Sequence, residues 1–195
     1  MKYQERKIRL LNTINEISNN LIKNSETINF DKINELIDMI VRTYAKNYMI
    51  FIYGAGRSGF IGRCFAQRLM HLGIKSCFIS DAVTYRYHSY DLLIIISGSG
   101  ETTSPLALVQ KAKEIGGKIV LITGNPYSTM GKSSDLIIQI EGKRKDKAIN
   151  EETLAPYTTL FDIAALTILD SIGGILMKVL GVKEKDIDLR HASIE

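Results

Sequence analysis

The chain has 195 residues, 45% of them apolar, enough for one ordinary domain with a full core and short for two. Its 25 basic and 21 acidic residues give a formal charge of +4 and are spread along the sequence, which argues against a nucleic-acid footprint. We read no run of about 18 apolar residues and a polar, charged start, and so expect neither a membrane span nor a secretory signal but a cytoplasmic protein.

Residues 1–46 carry helical periodicity, first with Ile14, Ile17 and Leu21 on one side. A second segment then follows with Ile33, Leu36, Ile37 and Ile40, and Asp31 as its cap. Two helices therefore precede the first strand. Short apolar runs at 49–53, 76–79, 92–96, 119–123 and 136–140 then alternate with helical stretches, the mark of strands buried on both faces of a parallel sheet. Crossover helices are expected at 59–71 and 103–115, with Pro105 tolerated in a first turn. A long apolar helix at 157–180 and a polar tail at 182–195 close a single domain, with the α/β core at 48–180. The basic run 143–147 reads as a solvated loop, and 142–152 as the most mobile stretch. Cys64 and Cys77 have no C-x-x-C spacing and read as buried thiols.

In open parallel sheets, ligands bind beyond the carboxyl ends of the strands, where helix N-termini offer free amides. Two turns stand there. Ser97-Gly98-Ser99-Gly100-Glu101-Thr102-Thr103-Ser104 supplies five hydroxyls within eight residues and small residues that let the backbone close around an anion. A helix cap at Ser97 or Thr103 would need only one of those hydroxyls. Gly54-Ala55-Gly56-Arg57-Ser58-Gly59 matches G-x-G-x-x-G, and Asp81 ends the second strand, so a dinucleotide module is an alternative reading of this turn alone. The chain lacks room for the substrate domain such modules usually serve.

With Arg68-Leu69-Met70-His71-Leu72-Gly73 and Arg190-His191-Ala192-Ser193, these turns form four motifs whose order and spacing, from about Tyr48 to the C-terminus, resemble the 6-phospho-3-hexuloisomerase family of the sugar isomerase (SIS) fold. The resemblance implies a flavodoxin-like three-layer α/β/α sandwich with a five-stranded parallel sheet, two N-terminal helices and a long C-terminal helix. It further implies interconversion of arabino-3-hexulose 6-phosphate and fructose 6-phosphate in a homotetramer, with neither metal nor organic cofactor, beside a 3-hexulose-6-phosphate synthase. The phosphorylated hexulose is the expected ligand, and neither nucleic acid nor a membrane is expected as a partner.

By motif, the substrate-binding positions are Arg57, Ser58, Ser97, Gly98, Ser99, Gly100, Glu101 and Thr102. The family's P-x-G-[ST]-x-F-E segment reads here Pro156-Tyr157-Thr158-Thr159-Leu160-Phe161-Asp162, so Thr158 replaces Gly and Asp162 replaces Glu. The resemblance makes Asp162 the base of an enediolate mechanism and His191, from its own or a neighbouring subunit, the acid and base for the oxygen-bound proton. Without it, Asp162 reads as a surface carboxylate near a helix start and His191 as an idle tail residue. His71 is expected to pack inside its helix, and Tyr85-Arg86-Tyr87-His88 to line either a pocket wall or an interface. The rival function is a sugar-phosphate sensor that keeps the phosphate turn without the chemistry. A third reading is an isomerase of another sugar phosphate.

Overall fold

The computed structural model describes residues 1–79, 84–147 and 152–193. Helices α1 (Tyr3–Thr27) and α2 (Phe30–Ala45) lead into β1 (Ile50–Gly54), α3 (Arg57–His71), β2 (Ser76–Phe78) and β3 (Leu92–Ile96). The chain continues through α4 (Thr103–Ile115), β4 (Lys118–Thr123), α5 (Thr129–Ser133), β5 (Leu136–Gln139), α6 (Thr159–Val179) and α7 (Glu184–Asp188). All strand pairs are parallel and the order is β2-β1-β3-β4-β5. The chain thus leaves β1 towards β2 on one side and returns through β3 on the other, which opens a crevice between the carboxyl ends of β1 and β3.

Both faces of the sheet are covered, and the strands alternate accordingly. Leu92, Ile94 and Ile96 of β3 face the layer of α2, α3 and α6, in one cluster with Phe65, Leu69, Phe161 and Leu169. Leu93 and Ile95 face α4 and α5, against Val109, Ala112 and Met130. Each such buried aliphatic side chain contributes about 1.5–3 kcal/mol, so the all-apolar strands hold the three layers together. Helix α6 is long and apolar enough on average to cross a membrane by length and composition alone, although Asp162, Asp170 and Lys178 interrupt its apolar run; half of its most apolar stretch is buried against the rest of the protein.

Several expectations need correction. Asn29, not Asp31, caps α2, its side chain accepting from the Lys32 amide at 3.1 Å. Ile14 is half exposed, and α1 buries only Asn24 fully. Cys64 is exposed on the outer face of α3 and Cys77 only partly covered. The 143–147 run is solvated only in part: Lys145 and Asp146 are exposed, but Lys143 is buried with Nζ on Thr153, and Arg144 donates to the Gly124 carbonyl at 2.9 Å and pairs with Asp146. The rest of 142–152 falls partly outside the described residues.

The tail from residue 182 forms α7 and then folds against α3. The Arg190 guanidinium donates to the His71 carbonyl at 3.0 Å and lies over Gly73, and the His191 ring stacks on buried His71 with centroids 4.9 Å apart. The second and fourth sequence motifs are thus packed on each other.

Candidate active site

The two glycine-bearing turns converge at the β1/β3 crevice. In the first, Gly54 and Gly59 serve the strand-helix contact itself: a Cβ on Gly54 would lie 2.6 Å from the Ser58 carbonyl oxygen, and one on Gly59 2.7 Å from that of Gly54. Gly56, with φ of 58°, turns the chain into α3. These contacts account for the G-x-G-x-x-G spacing without a ligand; Asp81, on which the dinucleotide reading also leaned, lies outside the described residues.

The second turn follows β3. The Ser97 hydroxyl accepts from the Gly100 amide at 3.2 Å, and that of Ser99 from the Glu101 amide at 3.3 Å. Each hydroxyl keeps its own hydrogen for donation. Thr102 stands at the N-cap of α4 with no side-chain cap bond, so the capping explanation for this cluster of hydroxyls fails. Among the described residues, the Thr103 and Ser104 amides in the first turn of α4 have no protein acceptor, and Pro105 has no N–H to leave unpaired. Hydroxyl hydrogens, free amides and a helix N-terminus together make an anion cradle.

Together with the start of α6, the turns line a cleft of about 280 Å³ that includes Arg57, Ser58, Ser97, Ser99, Thr102 and Asp162. Gly98 contributes backbone there, with Phe161 directly behind it. Two expected binding residues do not reach the cleft. Gly100 takes φ of 68° and packs on Ser128, a site with no space for a side chain. Glu101 turns away to accept the Thr129 amide at 2.7 Å, a bond that holds its carboxyl below the ordinary range.

Asp162 is 3% exposed, not a surface carboxylate. Its Oδ2 accepts from Arg57 Nε and from the Thr158 hydroxyl, each at 2.8 Å, whereas the buried Oδ1 has no partner. Both contacts of the carboxylate thus fall on Oδ2, and burial closes Oδ1 off from solvent. The pairing spans two elements that run side by side: one helical stretch further on, Arg68 Nε meets Asp170 Oδ1 at 3.0 Å, so α3 and α6 are joined at both levels.

His191 is not brought to this cleft by its own chain. It sits beside His71, at the far end of the 15-residue α3 from Arg57, about 20 Å away. The Tyr85–His88 segment is also remote. Tyr87 packs edge-on against Phe51, and His88 and the Met49 amide share the buried Asp91 carboxylate at the amino ends of the strands. Lys145 and the ring of Tyr157 line the cleft and were not foreseen as ligand contacts. The only sequence signal for Lys145 was a basic residue in the connection that follows β5.

A flavodoxin-like α/β/α protein with an anion cradle and a buried carboxylate at its switch point is the class that this fold and site define. The family model described as the SIS domain matches residues 43–168. A 3-hexulose-6-phosphate isomerase of Methanocaldococcus jannaschii is 39% identical over 184 residues, 94% of this chain and 98% of that protein. One from Bacillus subtilis is 35% identical over 181 residues, 92% of this chain and 96% of that one. The crystal structure of a hypothetical protein from Methanococcus jannaschii, for which a molecular function of 3-hexulose-6-phosphate isomerase was inferred, matches with a TM-score of 0.79 at 38% identity, covering 93% of this chain and 98% of that one. The chain belongs to the SIS-domain family and, within it, to the family of the 3-hexulose-6-phosphate isomerases.

Proposed function

We propose that the protein interconverts arabino-3-hexulose 6-phosphate and fructose 6-phosphate through an enediolate. The observation that carries this reading is the buried Asp162 carboxylate, held by Arg57 and Thr158, in the same cleft as the hydroxyl cradle. Ser58, Ser97, Ser99 and Thr102 hold the phosphate, which directs the C2 and C3 end of the open-chain sugar towards Asp162. In one direction the Asp162 carboxylate takes the proton from C2 of the 3-ketose, the electron pair forms the C2–C3 double bond, and the carbonyl oxygen on C3 becomes the enediolate oxygen. Return of the proton to C3, with transfer of the hydroxyl proton from O2 to O3, leaves the carbonyl on C2. The Arg57 guanidinium, bonded to Asp162 through Nε only, keeps its outer nitrogens for the developing negative charge.

The oxygen-bound proton needs a second group. We assign it to His191 of a neighbouring subunit in a homotetramer, since its own chain holds it about 20 Å from the cleft. Exposed apolar residues of α1, among them Ile8, Leu10 and Leu11, support such an assembly.

The test is incubation with fructose 6-phosphate in deuterated water, followed by NMR. Exchange of the C3 proton and appearance of the 3-ketose are expected, and Asp162→Asn should lower both by about 10²–10⁴-fold while phosphate-ester binding persists. Binding without exchange in the unaltered protein would instead identify a sensor or an isomerase of another sugar phosphate, which a substrate panel would distinguish.

A further inference from the structure

Asp162 is served by a hydroxyl one turn before it. Thr158 occupies the N-cap of α6, where a threonine normally accepts from an amide of the first turn, yet it makes no such bond. Its hydroxyl hydrogen goes instead to Asp162 Oδ2 at 2.8 Å. Other hydroxyls on the same helix behave conventionally: Thr167 and Ser171 donate back to the carbonyls of Ile163 and Thr167. Thr158 therefore gives up a cap bond and directs its only hydrogen to a buried carboxylate.

Two donors now meet on one oxygen, and their difference in stiffness matters. Arg57 reaches Oδ2 with a long side chain that is 60% exposed and has many rotamers, so alone it would allow the carboxylate to turn with it. Thr158 is β-branched and stiff at χ1, and is anchored at a helix terminus. An aspartate that turned about χ2 would break both contacts on Oδ2 and change the aim of its carboxylate at the sugar.

We propose that Thr158 is a positioning residue: with Arg57 it holds the Asp162 carboxylate in one fixed orientation beside the cleft, aimed at the substrate carbon. This rests on the isomerase reading above and adds to it the residue that sets the base's geometry. Thr158 touches no reacting atom in this scheme. Its effect falls on the proton-transfer step and not on phosphate binding, because the cradle hydroxyls lie on other elements.

The experiment compares Thr158→Val, which keeps the shape and loses the donor, with Thr158→Ser, which keeps the donor. Steady-state kinetics on fructose 6-phosphate and C3 deuterium exchange are measured on both, with thermal melts to confirm folding. The valine variant should lose about 10- to 100-fold in kcat, the usual range for one hydrogen bond to a charged group, with KM within about twofold of the unaltered protein. The serine variant should recover kcat to within about threefold. A valine variant with undiminished kcat, a rise in KM alone, or equal losses for valine and serine would overturn the positioning role while leaving the isomerase reading standing. Absence of exchange in the unaltered protein would overturn both.

Discussion

Tyr157, the residue before Thr158, has φ of 52°, a left-handed conformation that costs an L side chain about 1–2 kcal/mol. It nevertheless stays half exposed with its ring at the cleft. The strain sits where it sets the entry of α6 and hence the aim of Thr158 and Asp162. Tyr157→Gly should therefore raise unfolding stability by about 1 kcal/mol in urea titrations while increasing KM for the sugar phosphate, because the aromatic wall is lost. A stability gain with unchanged KM would show that the ring makes no substrate contact. At this scale the sequence was uneven. The hydroxyls of Ser58, Ser97, Ser99 and Thr102 were legible because small polar residues directly after buried strands have few other uses. The Arg57–Asp162 contact joins residues 105 positions apart, and no local pattern announces it. Lys145 is exposed, as charge runs usually are, and its place at the cleft went unseen because it depends on Lys143 and Arg144 binding the connection to the core.

Among the elements, α1 does most through its polar residues. Glu16 accepts the amides of Leu154 and Ala155 at 3.0 and 2.6 Å, and Arg9 donates to the Leu154 carbonyl. Asn20 reaches the Leu160 carbonyl in the first turn of α6. This helix thus clamps the segment that delivers Tyr157 and Thr158 to the cleft. Glu16→Ala leaves two partly buried amides without acceptors and should cost about 1–3 kcal/mol of stability and lower kcat more than KM; an unaltered kcat would separate the clamp from the chemistry. Helical periodicity in Ile14, Ile17 and Leu21 located α1 correctly but misjudged its outward face, since periodicity shows an amphipathic helix and not what covers it. Helix α4 matched its expected span at both ends because Gly116 stops it with φ of 89°. Helices α5 and α7, five residues each, are too short to display a period and went unseen.

For the whole molecule, five parallel strands buried on both faces were readable from unbroken apolar runs, whereas the tail's docking on α3 was not, being carried by a carbonyl and two stacked imidazoles. The proposed homotetramer makes a distinctive prediction. Asp162→Asn and His191→Asn variants, each nearly inactive alone, should regain part of the turnover when refolded together, because mixed assemblies contain cleft pairs with both intact groups. No recovery in mixtures that light scattering shows to be hetero-oligomeric would remove His191 from a neighbour's site. The rim of the sheet carries a separate consequence. Just beyond β5, the Ile140 amide points inward to the Thr123 carbonyl, so the next peptide group, that of Glu141, faces outward. Asn24 takes both of its outward groups, accepting from its amide at 2.8 Å and donating to its carbonyl at 2.9 Å. One side-chain amide thereby imitates, for this one residue, the neighbouring strand that is not there, and an extended chain adding itself alongside β5 would have to displace Asn24 to lengthen its ladder and begin an aggregate.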